Sequence, residues 1–257
     1  MADPPIRTER RGAILVITID RPELRNAMNA AAARGLSDAI DMLEGDAALH
    51  LAILTGAGGY FSAGADLKAA AKAGGGSGAT TERGPMGMCE RPPAKPMIAA
   101  IEGGALGGGF EMALACDLIV AAQDARMGLP EVRFNLVAMG GGLLRLPRRV
   151  PANIAAEVAL SGKAYGAEFF HRHGLVNRLA APGRALDEAM ALANELLCNG
   201  PTALAATAAI LRAQGDWSGD EVWRRQRDMA LVALESEDRR EGARAFVEKR
   251  PPVWKGR

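Results

Sequence analysis

Ile98–Asp117 reads IAAIEGGALGGGFEMALACD, and the fold turns on this stretch. The run Met97–Ile101 is apolar throughout and short enough for a strand buried on both faces. A glycine-dense turn follows, Gly103-Gly104-Ala105-Leu106-Gly107-Gly108-Gly109. Phe110–Ala115 then reads as a buried helix with Glu111 in its first turn. Glycine lets a ligand approach the backbone and permits angles that other residues avoid. A helix start leaves amides without intrahelical acceptors, and these suit an anion. A carboxylate beside free amide donors fits a base working next to a stabilised oxyanion. A tight turn with Glu111 as an ordinary first-turn acid fits equally, and this stretch alone leaves both readings open.

Working outward, Ala13–Asp20 (AILVITID) and Leu49–Thr55 (LHLAILT) predict two further strands. Arg21-Pro22 ends the first. Asn29 is placed to cap a helix over Ala30–Leu43, where Leu36, Ile40 and Leu43 have helical spacing. The loop Gly56–Asp66 leads into a short helix from Leu67, so a strand–glycine loop–helix unit occurs twice. Lys72–Arg83, KAGGGSGATTER, is poor in hydrophobes and predicts a mobile loop or lid. Downstream, strands are expected at Asp117–Ala122, Arg126–Gly128 and Leu175–Leu179, with a turn at Pro130-Glu131. Gly140-Gly141-Gly142 opens a helix through Leu146. Further helices are expected at Pro151–Leu160, Ala167–His173, Arg184–Leu197, Pro201–Ala213, Gly219–Leu234 and Ser236–Lys249. The pattern predicts an α/β core over residues 1–195 and a helical region over 196–257. The sequence holds no exact repeat, yet the recurring units suggest a coiled α/β architecture.

Composition narrows the function classes. The 257 residues are 49% hydrophobic, enough for one core. A net charge of +1 argues against nucleic acid as the main partner. Cys89, Cys116 and Cys198 are odd in number and far apart, which fits a reducing cytoplasm and no disulfide framework. The opening MADPPIRTERRG has no apolar signal region, and no apolar run is long enough to span a membrane. The glycine turn is not G-x-G-x-x-G in the place a dinucleotide site requires, and no phosphate-binding G-x-x-x-x-G-K-[ST] occurs. Ser62 is outside any G-x-S-x-G. His171-x-His173 lacks partners at metal-ligand spacing, and no metal is expected. Arg145, Arg148 and Arg149 read as solvated at a helix end. What survives is a constellation: amides from Ala63-Gly64-Ala65-Asp66 and from Gly107-Gly108-Gly109, with carboxylates at Glu111 and Glu131. Two amides can hold an oxyanion, and two carboxylates can divide base and acid work.

Five segments carry a specific resemblance: FSAGADLK at Phe61–Lys68, PMIAAIEGGALGGGFEMALACD at Pro96–Asp117, GLPEV at Gly128–Val132, GLVNRL at Gly174–Leu179 and SEDRREGARAFVEKRPPVW at Ser236–Trp254. Through them the chain resembles the crotonase superfamily, most closely its enoyl-CoA hydratases. The resemblance implies a crotonase-like spiral of ββα units with a C-terminal helical trimerisation region, assembled as a trimer or as a hexamer of two trimers. It implies an acyl-CoA thioester substrate of lipid metabolism, with coenzyme A part of the substrate and no separate cofactor. Carried over by motif, the oxyanion amides belong to Ala65 and Gly108. Coenzyme A lies along Ala63, Gly64, Ala65, Asp66, Leu67 and Lys68, with Leu24, Arg25 and Ala27 beside it. Phe246 and Lys249 cover the adenine, from a neighbouring subunit if not the same one.

The superfamily runs several reactions from one oxyanion hole, so the carboxylates discriminate. Hydratases of this family carry two glutamates, and Glu111 and Glu131 occupy both positions. The implied reaction is syn hydration of a trans-2-enoyl-CoA, with Glu111 ionised as base and Glu131 protonated as acid. Isomerisation of a Δ3-enoyl-CoA is the alternative enzyme, and an acyl-CoA sensor the non-enzymatic one. The chain departs from the family where G-x-x-P-G commonly follows the second glutamate: Asn135, Ala138 and Met139 stand there. That implies a different turn beside Glu131 and a pocket whose acyl preference the motif does not give.

Overall fold

The computed structural model describes residues 4–72 and 79–257. In chain order its strands are β1 (Ile6–Arg11), β2 (Ile14–Ile19), β3 (Leu51–Gly56), β4 (Thr80–Thr81), β5 (Gly84–Pro85), β6 (Met97–Ile101), β7 (Gly104–Leu106), β8 (Leu118–Ala122), β9 (Arg126–Gly128), β10 (Tyr165–Gly166) and β11 (Arg178–Ala180). The helices are α1 (Ala30–Gly45), α2 (Leu67–Lys72), α3 (Gly108–Ala115), α4 (Gly142–Arg149), α5 (Ala152–Ser161), α6 (Ala167–Arg172), α7 (Ala185–Leu197), α8 (Pro201–Ala213), α9 (Val222–Leu234) and α10 (Glu237–Glu248).

Six strands form one sheet in the order β1-β2-β3-β6-β8-β11, with β1 antiparallel and the rest mutually parallel. Alternation along the strands sends successive side chains to opposite faces. Leu15, Ile17 and Leu54 join a core with α1 and α3. Ile14, Val16, Ile53 and Ala100 pack with Ala185, Ala189 and Ala193 of α7. The run Met97–Ile101 is buried on both faces, as its composition requires.

A second layer explains the recurring units. β7, β9 and β10 form a small sheet, and two isolated parallel bridges extend its pattern, Met28 to Ala65 and Ser62 to Ala105. Each turn of the chain thus lays a strand in the large sheet, a short extended piece in the second layer, then a helix or helical turn. The units are the ββα spiral that the resemblance implied. Because the large strands run parallel, the loops following β3 and β6 emerge at the same edge, where ligands of parallel α/β sheets bind.

Asn29 caps α1 by accepting from the Ala32 amide at 2.9 Å. Several expectations need correction. The segment Ile6–Arg11 is a strand; its one-faced, mostly charged composition hid it. The strand expected at Leu175–Leu179 forms at Arg178–Ala180. The loop expected at Lys72–Arg83 falls partly on residues 73–78, which lie outside the described residues. Its later part is a β4–β5 hairpin fastened by Arg83, whose buried guanidinium reaches Asp41 Oδ1 at 2.5 Å and Glu44 Oε2 at 2.6 Å. Arg149 is not solvated: it donates to the carbonyls of Leu114, Cys116 and Asp117 at 3.0–3.1 Å and so caps the C-terminal end of α3. Among the described residues no single helix is long and apolar enough to cross a membrane.

Candidate active site

The two amide-rich loops meet because successive units stack. Met28 N donates to Gly64 O at 2.7 Å and Asp66 N to Met28 O at 2.9 Å, a ladder that skips the Ala65 amide. A Cβ built on Gly64 would stand 2.8 Å from Gly108 N and 2.7 Å from Leu106 O. Only glycine fits there, both for that space and for its φ of +88°. Gly108 is the first residue of α3, where an amide lacks an intrahelical acceptor. The Ala65 and Gly108 amides therefore belong to neighbouring loops at the same edge of the sheet, with Met86 of the turn after β5 packed against Gly108.

The residues named for coenzyme A are partly gathered by the same ladder. Ala63 N donates to Arg25 O at 2.9 Å and Ala27 N to Leu24 O at 3.1 Å, so Leu24, Arg25 and Ala27 border Ala63–Lys68. Leu67 and Lys68 are exposed beyond them. The Asp66 carboxylate is already engaged: it caps α2 through the Ala69 amide and pairs with Arg21 at 3.0 Å, both side chains largely buried. Three residues of this frame escaped sequence reasoning. Asn26 is fully buried, and its side-chain amide donates to the carbonyls of Ala57 and Tyr60. Ser62 donates to Asn26 O and accepts from Gly64 N, and Arg21 also donates to Ala27 O. The positive φ of Asn26 (56°) is a conformation asparagine adopts more readily than most residues, but the carbonyls its side chain donates to lie more than thirty residues away.

Glu111 is buried on α3, and its Oε1 accepts from Gly142 N at 2.9 Å. Burial dominates and raises its carboxyl above the ordinary carboxylate value, against the opposing pull of the Gly142 and Gly140 amides and the Arg145 charge. Glu131 opens a 3-10 turn, Glu131–Phe134, and its Oε1 lies 3.0 Å from where a Cβ on Gly107 would be. Burial pushes the Glu131 carboxyl up to about 6, and the nearby charge of Glu111 adds to the rise. Its Oε2 is buried with no hydrogen-bond partner among the described residues. The two carboxyls thus flank the N-terminus of α3 and feel each other. One is held by backbone amides, and the other has a free oxygen.

No hydrogen bond or ion pair among the described residues joins Phe246 or Lys249 to this edge. Phe246 is 86% exposed, and Lys249 ends α10 in a left-handed conformation. The tail after α10 folds back so that Asp238 accepts from the Lys255 and Gly256 amides at 2.7 and 2.8 Å. A Cβ built on Gly256 would lie 3.2 Å from Ala47 O, ahead of β3 and at the opposite end of the strands.

A family model described as enoyl-CoA hydratase/isomerase matches residues 9–257. A solved enoyl-CoA hydratase from Mycobacterium tuberculosis is 52% identical, with a TM-score of 0.95 over 99% of this chain and 100% of that one. A carnitinyl-CoA dehydratase from Salmonella paratyphi A is 42% identical over 96% of this chain and 97% of its own length. A solved carnitinyl-CoA hydratase from Mycobacterium avium is 40% identical, with a TM-score of 0.78 and full coverage of both chains.

Proposed function

The chain belongs to the enoyl-CoA hydratase/isomerase family, and on that premise we propose that it adds water syn across the C2=C3 bond of a trans-2-enoyl-CoA. One observation carries the reading: Glu131, with its raised carboxyl and unpartnered buried oxygen, faces the same helix start as the amide-held Glu111. In this reading the thioester oxygen sits between the Ala65 and Gly108 amides, and a water lies between the glutamates. Glu111, whose ionised form accepts from the Gly142 amide, takes the water proton as oxygen bonds to C3. The double-bond electrons move toward the thioester, whose oxygen gains negative charge. Glu131 then protonates C2, and a proton passing from Glu111 back to Glu131 resets the pair. Each oxyanion donor contributes about 10²–10³ in rate, and each proton-transfer group about 10²–10⁴.

Coenzyme A runs along Ala63–Lys68 and Leu24–Ala27. Phe246 and Lys249 reach its adenine from a neighbouring subunit, since their own chain fastens the tail after α10 at the far end of the strands. We place the protein in the cytoplasm as a trimer or hexamer, with no cofactor beyond its substrate. The acyl group carries no cation: Val132–Met139, which leads from Glu131 to the glycine turn that holds Glu111, exposes Phe134 and Met139, and its one charge is the cation Arg133. A second reading, action on a carnitinyl thioester, is favoured by the identity to carnitinyl-CoA dehydratases. Loss of enoyl absorbance with crotonyl-CoA and a longer enoyl-CoA, measured for wild type, E111Q and E131Q, tests the first reading. Rapid loss in wild type and about 10²–10⁴-fold slower loss in both variants is expected. Bound but unaltered enoyl-CoA would sink it, and turnover confined to carnitinyl-CoA would install the second.

A further inference from the structure

Glu111 is held by a turn, and something must hold the turn. Gly140-Gly141-Gly142 has no side chains of its own, and glycine runs are costly to order. The structure points to one side chain. Arg145, one turn into α4, donates from Nη1 to Gly140 O at 3.2 Å and from Nη2 to Cys89 O at 2.5 Å. Its guanidinium therefore joins the glycine turn to the turn after β5, which packs Met86 against Gly108. The fit is close. A Cβ on Gly141 would come within 2.2 Å of Arg145 Nη1, and a Cβ on Gly140 within 2.7 Å of Glu111 Oε2. The glycines at 140 and 141 are thus sandwiched between the guanidinium and the carboxylate.

The guanidinium bonds two carbonyls and forms no ion pair among the described residues, so its charge acts on Glu111 from a distance. The other titratable groups that face Glu111 are Glu131, from the 3-10 turn, and the Cys89 thiol; the charge of Glu111 raises both, and burial holds the thiol in its neutral form.

We infer that Arg145 is a positioning residue for Glu111: it clamps the Gly140–Gly142 turn so that the Gly142 amide stays aimed at the carboxylate. This rests on the hydratase reading for its kinetic readout only. Arginine's planar fork can span two carbonyls, whereas lysine supplies the charge without the span.

The test uses R145M, R145K and G141A in the full-length protein, each checked for wild-type assembly and circular dichroism. Expected for R145M is a kcat about 10–100-fold lower, the range for a group that orients a reacting one, with KM within about threefold. The acidic limb of kcat/KM should move to higher pH, because the ionised Glu111 loses its amide and its cation. R145K should return the limb toward wild type while kcat stays low. G141A, which displaces the fork but keeps the charge, should lower kcat in the same way and stands in if R145M does not fold.

A second readout needs no turnover. In protein labelled with 13Cδ-glutamate, the Glu111 signal, identified by its absence in E111Q, should titrate at higher pH in R145M. An unmoved Glu111 titration in R145M overturns the inference, and so does an unchanged kcat in both R145M and G141A. A wild type that leaves every enoyl-CoA untouched would fail the hydratase reading, while the titration would still decide about Arg145.

Discussion

Replacing Glu131 by glutamine should make the protein a poorer catalyst and, at neutral pH, a more stable one. The reasoning starts from the raised carboxyl. Moving it from an ordinary 4.5 to about 6 disfavours the ionised form by about 2 kcal/mol. Part of the side chain reaches solvent, so screening leaves about 1 kcal/mol. Between the two values the folded protein holds a proton that the unfolded chain releases. Stability therefore falls as pH rises from about 4.5 to about 6 and stays lower above it. Glutamine has the shape of the acid and no such penalty. Urea denaturation of wild type and E131Q at pH 4 and pH 7.5, at one protomer concentration because assembly shifts apparent stability, reads the effect. The variant should gain about 1 kcal/mol over wild type on going from pH 4 to pH 7.5, while enoyl-CoA hydration falls about 10²–10⁴-fold. Equal differences at the two pH values, or a loss that grows toward pH 7.5, would refute the account of Glu131 as a carboxyl whose ionisation burial disfavours.

Two further outcomes follow from the same geometry. G64A should cost about 1–3 kcal/mol of stability, because the left-handed backbone rejects a side chain, and should lower kcat by at least about 10², because its methyl group would sit 2.8 Å from the Gly108 amide; denaturation and initial rates check both, and full activity would refute the placement of that amide. R83M should cost about 2 kcal/mol rather than more, because Asp41 and Glu44 are partly exposed and regain water when the arginine leaves; limited proteolysis should then cut sooner within residues 79–90, and unchanged cleavage would detach the hairpin's order from Arg83.

By itself the sequence determined what depends on neighbours along the chain. The apolar runs at Ala13–Asp20 and Met97–Ile101 are too short and too uniform to be anything but buried strands. Asn29 caps α1 as its position promised, and the G-G-G-F-E order puts Glu111 in a first helical turn. The exposed strand Ile6–Arg11 stayed hidden because its apolar signal is carried by its partner, β2. Glu131 was legible as a candidate from its motif, but its raised carboxyl is a property of burial beside Glu111, which no spacing encodes.

What only the tertiary structure decided are the contacts between chain turns. The bridges Met28–Ala65 and Ser62–Ala105 set two loops side by side so that their amides share one edge of the sheet. Arg21 finds Asp66 across 45 residues, and Arg83 finds Asp41 across 42. Arg145 and Arg149 sit four residues apart on one helix, yet one braces the turn that holds Glu111 and the other caps α3. Their sequence context is the same run of leucine, proline and arginine. Their roles differ because a helix presents each residue to whatever the folded chain has placed beside it, and that placement depends on the spiral as a whole.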